Sequence, residues 1–320
     1  MRYFLVCNPG SRGGSSARQV KRIVASMQEA GVTFDWKATT SLENGRVLAA
    51  NAARNGYDVI VAIGGDGTIN QVLNGLYHPD GTKVSHAALG VIHTGTSPDF
   101  SKAHGIPTKP LQALKAVLHG RTTKVSIGRV VRAVSFSPDY EQRGVDDSAL
   151  FQTSFFGCCV NIGMGAGVAR AANSGVRKRL GDTVGTLLAL LSTLATYRPM
   201  DLHVRRNGRR EIIQNLYNLF IGKTEYVASG IKVNSDLKPD DQRFYNLAVT
   251  GLRLGKLPGC LRALYSGRPI NNDSILNLSY GESIEVLGCR ENSEIEFDGD
   301  PGGFLPCRID TARDPLTLII

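Results

Sequence analysis

Between Val59 and Leu76 the chain runs from an apolar strand straight into a glycine-rich turn and then into a helix, in the stretch VIVAIGGDGTINQVLNGL. Glycines at a strand end let another backbone or a phosphate group approach closely. The free N–H groups of the following helix point into the same space and favour an anion. We therefore expect a phosphate-binding turn at 64–68, where Asp66 contacts a metal–nucleotide or a ribose. A tight turn in which Asp66 only caps the helix is the alternative.

Strands and helices alternate over the first third of the chain. Helical spacing of apolar residues predicts helices at 17–30, 43–55, 69–76 and 110–118, and short apolar runs predict strands between them. This order is typical of a mostly parallel sheet with helices on both faces. The sequence thus predicts an α/β fold with a nucleotide domain at 1–125.

The pattern changes near Lys124, where strands begin to dominate. Alternating apolar residues predict strands that include 150–160, 201–206, 211–221 and 294–297. Helices are predicted at 164–172, 183–196 and 258–265. We predict a second, mainly antiparallel β-rich domain at 126–306. The tail 307–320 ends in PLTLII, a last strand that could join either domain and is a candidate to rejoin the first.

Two further loops resemble the turn at 64–68. NPGSRGG (Asn8 to Gly14) follows the first strand, and HTGTSPDF (His93 to Phe100) follows the fourth. Open α/β sheets bind their ligands beyond the carboxyl ends of the strands, which is where all three loops are expected. None of them has the glycine–lysine pattern of a Walker loop or the spacing of a dinucleotide fingerprint.

Composition limits the class of protein. The net charge is +9, and residues 1–125 hold 14 Lys/Arg against 7 Asp/Glu, which suits an anionic partner. The six scattered cysteines indicate reduced thiols and a cytoplasmic protein. The longest apolar run falls short of the roughly 20 residues of a membrane span. We expect no nucleic acid partner, because aromatic residues are not interleaved with the basic ones.

Four arginines crowd one predicted hairpin in RRNGRR (Arg205 to Arg210), whose Asn-Gly centre is a strong hairpin signal. Basic residues near an anionic bilayer contribute about 1 kcal/mol each to binding. The sequence therefore predicts peripheral contact with an anionic membrane surface. An ordinary solvated loop tip is the alternative, and a homodimer is also left open.

Asp298 and Asp300 flank Gly299 in a stretch that we interpret as loop-like. Phosphoryl transfer needs cradled phosphates, a divalent ion and a carboxylate near the attacking hydroxyl. Two acids this close raise the pKa of one of them, which suits a general base. An exposed acidic turn is the alternative. His93 is interpreted as structural, and no histidine has the spacing of a zinc site.

The motifs together resemble the diacylglycerol kinase catalytic family, in its soluble bacterial lipid kinase branch, which is related to sphingosine and ceramide kinases. The resemblance rests on Asn8-Pro9 with Ser11, on Thr39-Thr40, on GGDGT at 64–68, on Gly95-Thr96 with Asp99-Phe100, and on FDGDPGGFLP at 297–306. It covers nearly the whole chain. It implies an α/β ATP-binding domain, a C-terminal β-sandwich domain and phosphorylation of a lipid hydroxyl with ATP and Mg²⁺.

The resemblance also implies roles for particular residues. Asp300 stands at the position of the general base, with Asp298 as its competitor and Asp66 as a third catalytic candidate. Asp240 stands near a structural magnesium site, with the carbonyls of Leu237 and Gln242 as co-ligands, and Asp99 is a further metal candidate. The residues expected to contact ATP are Asn8, Ser11, Thr40, Gly64, Gly65, Asp66, Gly67, Thr68, Gly95 and Thr96.

The sequence departs from the family at several of these positions. Pro98 stands where an asparagine is usual, and proline offers neither a side-chain amide nor a backbone N–H. Asp300 stands where a glutamate is usual. Two alternative functions stay open: a kinase of small molecules similar to NAD kinase or phosphofructokinase, and a lipid- or nucleotide-binding protein without catalysis.

Overall fold

The computed structural model describes the chain except for residues 15, 42, 136–150, 172–190, 195, 207, 228–229 and 289–293. The strands in chain order are β1 (Arg2–Cys7), β2 (Thr33–Ala38), β3 (Val59–Gly64), β4 (Ala88–His93), β5 (Thr122–Val125), β6 (Gly128–Ala133), β7 (Phe151–Phe156), β8 (Cys159–Gly163), β9 (Met200–Arg206), β10 (Arg209–Gly222), β11 (Tyr226–Val227), β12 (Ile231–Lys232), β13 (Phe244–Thr250), β14 (Leu276–Gly281), β15 (Ile284–Gly288), β16 (Glu294–Phe297), β17 (Asp300–Thr311) and β18 (Leu316–Ile319). The α-helices are α1 (Ser16–Glu29), α2 (Asn44–Arg54), α3 (Asp66–Gly75), α4 (Asp99–Ala103), α5 (Pro110–His119), α6 (Met164–Ala171) and α7 (Leu257–Ser266).

The chain folds into two compact units. The first comprises Met1–Ile127 and Ala312–Ile320, and the second comprises Gly128–Thr311. The second unit is therefore inserted between β5 and β18 of the first. The tail that returns is shorter than the predicted 307–320, because β17 continues as a strand of the second unit until Thr311 pairs with Gly128.

A six-stranded sheet forms the centre of the first unit. Its order is β2-β1-β3-β4-β18-β5, with parallel pairing everywhere except between β18 and β5. Alternate strand residues such as Leu5 and Val61 pack in one core with α1 and α5. The intervening residues face α2 and α3 on the opposite side. The predicted α/β fold with helices on both faces is confirmed.

The second unit is built of antiparallel strands, as predicted. Its sheet has the order β14-β13-β10-β8-β16-β17-β15-β9, and β6 and β7 are attached at β17. Because β9 also pairs with β10, the six strands from β10 to β9 close into a ring. The ring encloses a core that includes Ile162, Leu219, Val286 and Ile295. Closure removes the unpaired strand edges from this part of the unit.

Two predicted elements of the second unit differ in the structure. The single strand predicted at 150–160 is two strands, because the N–H groups of Gly157 and Cys158 turn to bind the Asp298 carboxylate. The stretch interpreted as a loop after Asp298 is a hairpin, in which Phe297 of β16 pairs with Asp300 of β17. Most of the helix predicted at 183–196 lies outside the described residues.

Candidate active site

The three glycine-rich loops lie side by side at one edge of the first sheet. They follow β1, β3 and β4, which are adjacent and parallel, so their carboxyl ends meet. The first and third loops each extend the pairing with β3 by one backbone hydrogen bond. Asn8 N–H donates to Ile63 O, and Thr94 N–H donates to Gly64 O. The parallel register therefore brings the three loops together, as the sequence predicted.

Side chains and glycines hold the first loop against the second and the second against the third. The Asn8 amide donates to the Thr68 hydroxyl at 3.0 Å. A Cβ at Gly64 would lie 2.3 Å from Thr68 Oγ1, and a Cβ at Gly95 would lie 2.6 Å from the Gly65 Cα. Only glycine fits at these two positions. Thr68 does not cap α3; Gly65 is its N-terminal capping residue.

Asp66 links the second loop to the third. Its Oδ2 accepts a hydrogen bond from the Asp99 backbone N–H at 3.3 Å, and its Oδ1 lies 3.8 Å from Nε2 of the buried His93. Asp99 opens α4 directly after Pro98, so the proline leaves this N–H in place. Two carboxylates, Asp66 and Asp99, thus belong to one edge of the sheet. Magnesium is usually held by one or two carboxylates together with substrate phosphates, so Asp66 and Asp99 are the candidate carboxylates at this edge.

The other predicted nucleotide contacts occupy the same edge in different ways. The Ser11 hydroxyl lies 2.6 Å from Ser16 Oγ and 3.3 Å from Thr94 Oγ1, which ties the first loop to the start of α1 and to the third loop. Gly67 lies in the first turn of α3, and Thr96 is exposed in the third loop. Thr40 follows the edge strand β2 and bonds to Asn44; it lies farther along the edge than the other residues.

In the second unit, Asp298 and Asp300 occupy different environments. The Asp298 carboxylate accepts backbone N–H groups from Gly157, Cys158 and Cys159 at 2.7, 2.8 and 3.2 Å. Burial raises the pKa of Asp300, and the Asp298 charge raises it further. Asp298 is therefore held by the backbone between β7 and β8, whereas Asp300 is a buried carboxyl group with a raised pKa.

A third carboxyl group, Glu296, lies behind this pair, and the sequence reasoning missed it. Glu296 is 3% exposed; it accepts hydrogen bonds from the Gly299 N–H and from the Asn161 amide. Asn161 in turn accepts from Asn218 at 3.2 Å, and both asparagines are 2% exposed. Burial raises the pKa of Glu296 to about 8, and the hydrogen bonds donated by Asn161 and Gly299 oppose this rise. The available sequence signal was weak: in each of three strands, one polar residue stands between two apolar or aromatic neighbours.

The raised pKa of Glu296 predicts a pH-dependent stability. Its pKa in the folded chain, about 8, lies above the ordinary 4.5, so its contribution to folding is fully present below pH 4.5 and is lost as the pH rises to about 8. Glu296→Gln removes this titration. We expect the melting temperature of the variant, relative to wild type, to rise across that range and then to level off. A difference that stays constant with pH would contradict the assignment.

The predicted structural metal site at Asp240, Leu237 and Gln242 stays a prediction, and the structure shows the surroundings of these residues. Asp240 is exposed, the Gln242 carbonyl accepts the Thr311 hydroxyl at 2.9 Å, and the Leu237 side chain packs on an apolar core. Within the described residues, no group of three or more His, Cys, Asp or Glu side chains could hold a metal ion. A buried amine, that of Lys223, also reaches this turn and donates to the carbonyls of Asp241 and Arg243.

Lys223 supplies the positive charge of the turn. It is 8% exposed; its Nζ donates to the carbonyl of Asp241 at 2.6 Å and to that of Arg243 at 3.0 Å. The same atom lies 4.5 Å from the centre of the Phe244 ring. Burial lowers the pKa of Lys223 to about 8, and the Asp241 charge opposes this shift. Arg243 pairs with the Asp241 carboxylate at 2.7 Å.

Lys223→Met should destabilise the protein strongly. It leaves two carbonyls without their donor, and each buried unsatisfied group costs about 1–3 kcal/mol. We expect a loss of about 2–4 kcal/mol in the free energy of unfolding. The exposed Lys238→Met, in the same segment, is the matched control and should change little. Excess EDTA tests the predicted metal site separately: a fall in the wild-type melting temperature that Mg²⁺ reverses would support a bound metal, and an unchanged melting temperature would count against it.

Comparison with known proteins agrees with this geometry. Residues 2–130 match the family model of the diacylglycerol kinase catalytic domain, and residues 158–320 match that of the YegS C-terminal NAD kinase beta sandwich-like domain. The chain belongs to the diacylglycerol kinase catalytic family. The resemblance inferred from the loop motifs is thereby confirmed.

Relatives within this diacylglycerol kinase family align along most of their length. The chain is 27% identical over 308 residues to a diacylglycerol kinase of Bacillus subtilis, covering 94% of this chain and 90% of that one. It is 25% identical over 306 residues to one of Staphylococcus saprophyticus, with the same coverage. A solved diacylglycerol kinase from Bacillus anthracis superposes with a TM-score of 0.68 at 18% identity, over 99% of this chain and 96% of that one. The last comparison shows a shared fold.

In the part of the chain that the structure describes, no helix is long and apolar enough to cross a membrane.

Proposed function

We propose that the chain transfers the γ-phosphoryl group of MgATP to the hydroxyl of a lipid alcohol, a diacylglycerol or a similar long-chain alcohol. The observation that carries the proposal is the convergence of the three loops after β1, β3 and β4, tied by the Asn8–Thr68 and Asp66–Asp99 hydrogen bonds. Backbone N–H groups at strand ends and at the start of α3 form a cradle of the kind that phosphates occupy. Family membership supports a kinase reaction.

In the proposed reaction the substrate hydroxyl oxygen attacks the γ-phosphorus while the bond from that phosphorus to the β–γ bridging oxygen breaks. The hydroxyl proton passes to Asp300, and ADP leaves. Bound Mg²⁺ would offset the phosphate charge, with Asp66 and Asp99 as the carboxylates able to hold it. The first unit thus binds the nucleotide, and the raised pKa of Asp300 favours proton acceptance in the second.

A radiolabelled-ATP assay tests the proposal. The acceptor panel holds diacylglycerol, sphingosine, ceramide and monoacylglycerol in mixed micelles, with NAD and fructose 6-phosphate as the acceptors of the rival kinases. We expect label in a lipid and none in the soluble acceptors. Label in NAD or the sugar phosphate supports a small-molecule kinase. ATP and lipid binding without transfer supports a binding protein.

The hairpin of β9 and β10 supports a contact with anionic lipid, and the predicted Asn-Gly hairpin is confirmed by the pairing of Arg206 with Arg209. Its arginines are not equivalent. Arg205 bonds to Glu285 at 2.6 Å, whereas Arg209 and Arg210 are exposed. Ile212 beside them is also exposed and adds apolar area. The free positive charge is therefore concentrated at Arg209 and Arg210.

Replacing Arg209 and Arg210 with glutamine should weaken binding to anionic vesicles and flatten its salt dependence, at about 1 kcal/mol for each charge. Arg205→Gln is the matched control and should have a smaller effect, because its charge is already paired with Glu285. Co-sedimentation with phosphatidylglycerol vesicles at increasing salt measures both. Equal binding by wild type and the double variant would indicate that the hairpin is an ordinary solvated turn.

A further inference from the structure

Two carboxyl groups, those of Asp298 and Glu296, hold the tight turn that contains Asp298 and Gly299. Asp298 and Gly299 form a two-residue hairpin turn with φ of +51° and +93°, both in the left-handed region. Asp298 is a non-glycine residue in that region, a conformation that costs of order 1–3 kcal/mol and persists only where its surroundings enforce it. One anchor is the Asp298 carboxylate, which binds the backbone of residues 157–159.

Glu296 provides the second anchor of the turn. Its Oε1 accepts the Gly299 N–H, and its Oε2 accepts the Asn161 amide. The chain of hydrogen bonds continues beyond Asn161. Asn218 donates to Asn161, and the Gly165 N–H at the start of α6 donates to Asn218 at 2.8 Å. A chain of three hydrogen bonds from the Gly165 N–H, and a separate hydrogen bond from the Gly299 N–H, therefore end on one carboxyl group. A network of this kind fixes its members more firmly than separate pairs do.

We propose that Glu296 is a positioning residue for phosphoryl transfer, which holds Asp300 in its reactive place by fixing the Gly299 amide. This inference rests on the proposed function. Glu296 itself is buried in the sheet beneath the turn, so it acts through the backbone rather than on substrate. Asp300 is the residue that follows the fixed amide and the first residue of β17. A displaced Gly299 therefore displaces Asp300.

Two substitutions at the same position separate the hydrogen bond from the charge. Glu296→Met keeps a similar length but offers no oxygen to the Gly299 N–H. Glu296→Gln keeps an oxygen acceptor for that N–H and has no charge. We expect the methionine variant to lose kcat by roughly 10²-fold with the KM for ATP nearly unchanged, since a misplacement of about 1 Å costs that much. The glutamine variant should keep at least about tenfold more activity than the methionine variant, a difference of about 1.4 kcal/mol.

A second readout follows the turn without any reaction. Hydrogen exchange of the Gly299 amide should be slow in wild type and in Glu296→Gln, and fast in Glu296→Met. Val286→Ala is the control for general destabilisation, because it removes buried methyl groups from the core of the same unit. We expect it to lower the melting temperature while leaving Gly299 exchange slow and kcat close to wild type.

The outcomes distinguish this inference from the proposed function. Fast Gly299 exchange in the methionine variant together with the kcat loss supports the inference. Slow exchange in that variant, or a kcat equal to wild type, overturns it. A kcat loss in Val286→Ala as large as in Glu296→Met also overturns it, because general destabilisation would then explain the effect. If wild type phosphorylates none of the acceptors, the proposed function and the catalytic role of Glu296 fall together, while the exchange result still decides whether Glu296 holds the turn.

Discussion

Asp300→Asn is expected to bind ATP as wild type does and to lose phosphoryl transfer by about 10²–10⁴-fold, the usual effect of removing a general base. The amide preserves the size of the side chain but cannot accept the hydroxyl proton. Burial raises the pKa of Asp300, so removal of its charge should not lower stability. Turnover, ATP affinity and melting temperature measured on one preparation test all three expectations.

Asp298→Asn gives the contrasting result. Its carboxylate accepts three backbone N–H groups, and an amide has only one oxygen to offer them. We expect a lower melting temperature and a smaller loss of turnover than in Asp300→Asn. The exposed Asp236→Asn in the same unit should match wild type in both. If Asp298→Asn is the inactive variant and stays stable, the two roles have been assigned the wrong way round.

Asp66→Ala is expected to lose nearly all turnover while the first unit stays folded. The substitution removes the acceptor of the Asp99 N–H and one of the two carboxylates of the nucleotide edge. Retention of more than about a tenth of the wild-type turnover, a cost below about 1.4 kcal/mol, would remove Asp66 from the mechanism.

The matched control for Asp66→Ala is Glu43→Ala. Glu43 is an exposed acid that precedes α2 and makes no side-chain capping hydrogen bond. The same change in charge at that position should leave turnover and ATP affinity unaltered. Circular dichroism of both variants checks the fold. A similar loss in both would indicate that the overall charge of the first unit, rather than the loop, supports nucleotide binding.

The first unit could be predicted well because its signals are local. A buried strand, a loop that contains glycine and a helix recur three times, and parallel pairing of β1, β3 and β4 follows from the alternation of strands and helices. The contacts between loops could not be predicted. The Asn8–Thr68 hydrogen bond joins residues 60 positions apart, and its existence depends on the register of two strands.

The second unit was harder to predict, and the turn at Asp298 and Gly299 shows why. Asp-Gly is a strong signal for a two-residue hairpin, yet the prolines and glycines that follow it suggested a loop instead. Two adjacent left-handed residues let β16 turn directly into β17. Glu296, Asn161 and Asn218 gave only weak signals, because a polar residue in an apolar strand finds its partner through antiparallel pairings that a single sequence does not reveal.

Lys223 shows a second kind of feature that the sequence could not predict. The metal site was inferred from positions in the segment 237–242, and nothing in that segment indicated a cation from a distant strand. Lys223 ends next to this segment because β10 and β13 are antiparallel neighbours, with Gly222 opposite Tyr245. Burial of an amine among carbonyl oxygens is a tertiary property, so it appears only once the pairing is known.

The late return of the chain to its first sheet sets an order of assembly during synthesis. β18 lies between β4 and β5 and pairs with both. β4 and β5 therefore do not pair with each other directly. A ribosome that has completed the first 127 residues has produced all three glycine-rich loops but not the strand that joins β4 to β5. Until residues 316–319 are made, β4 and β5 each have an unpaired edge, and such edges are sites of aggregation. The nascent chain therefore carries these open edges from the synthesis of β4 and β5 until that of β18.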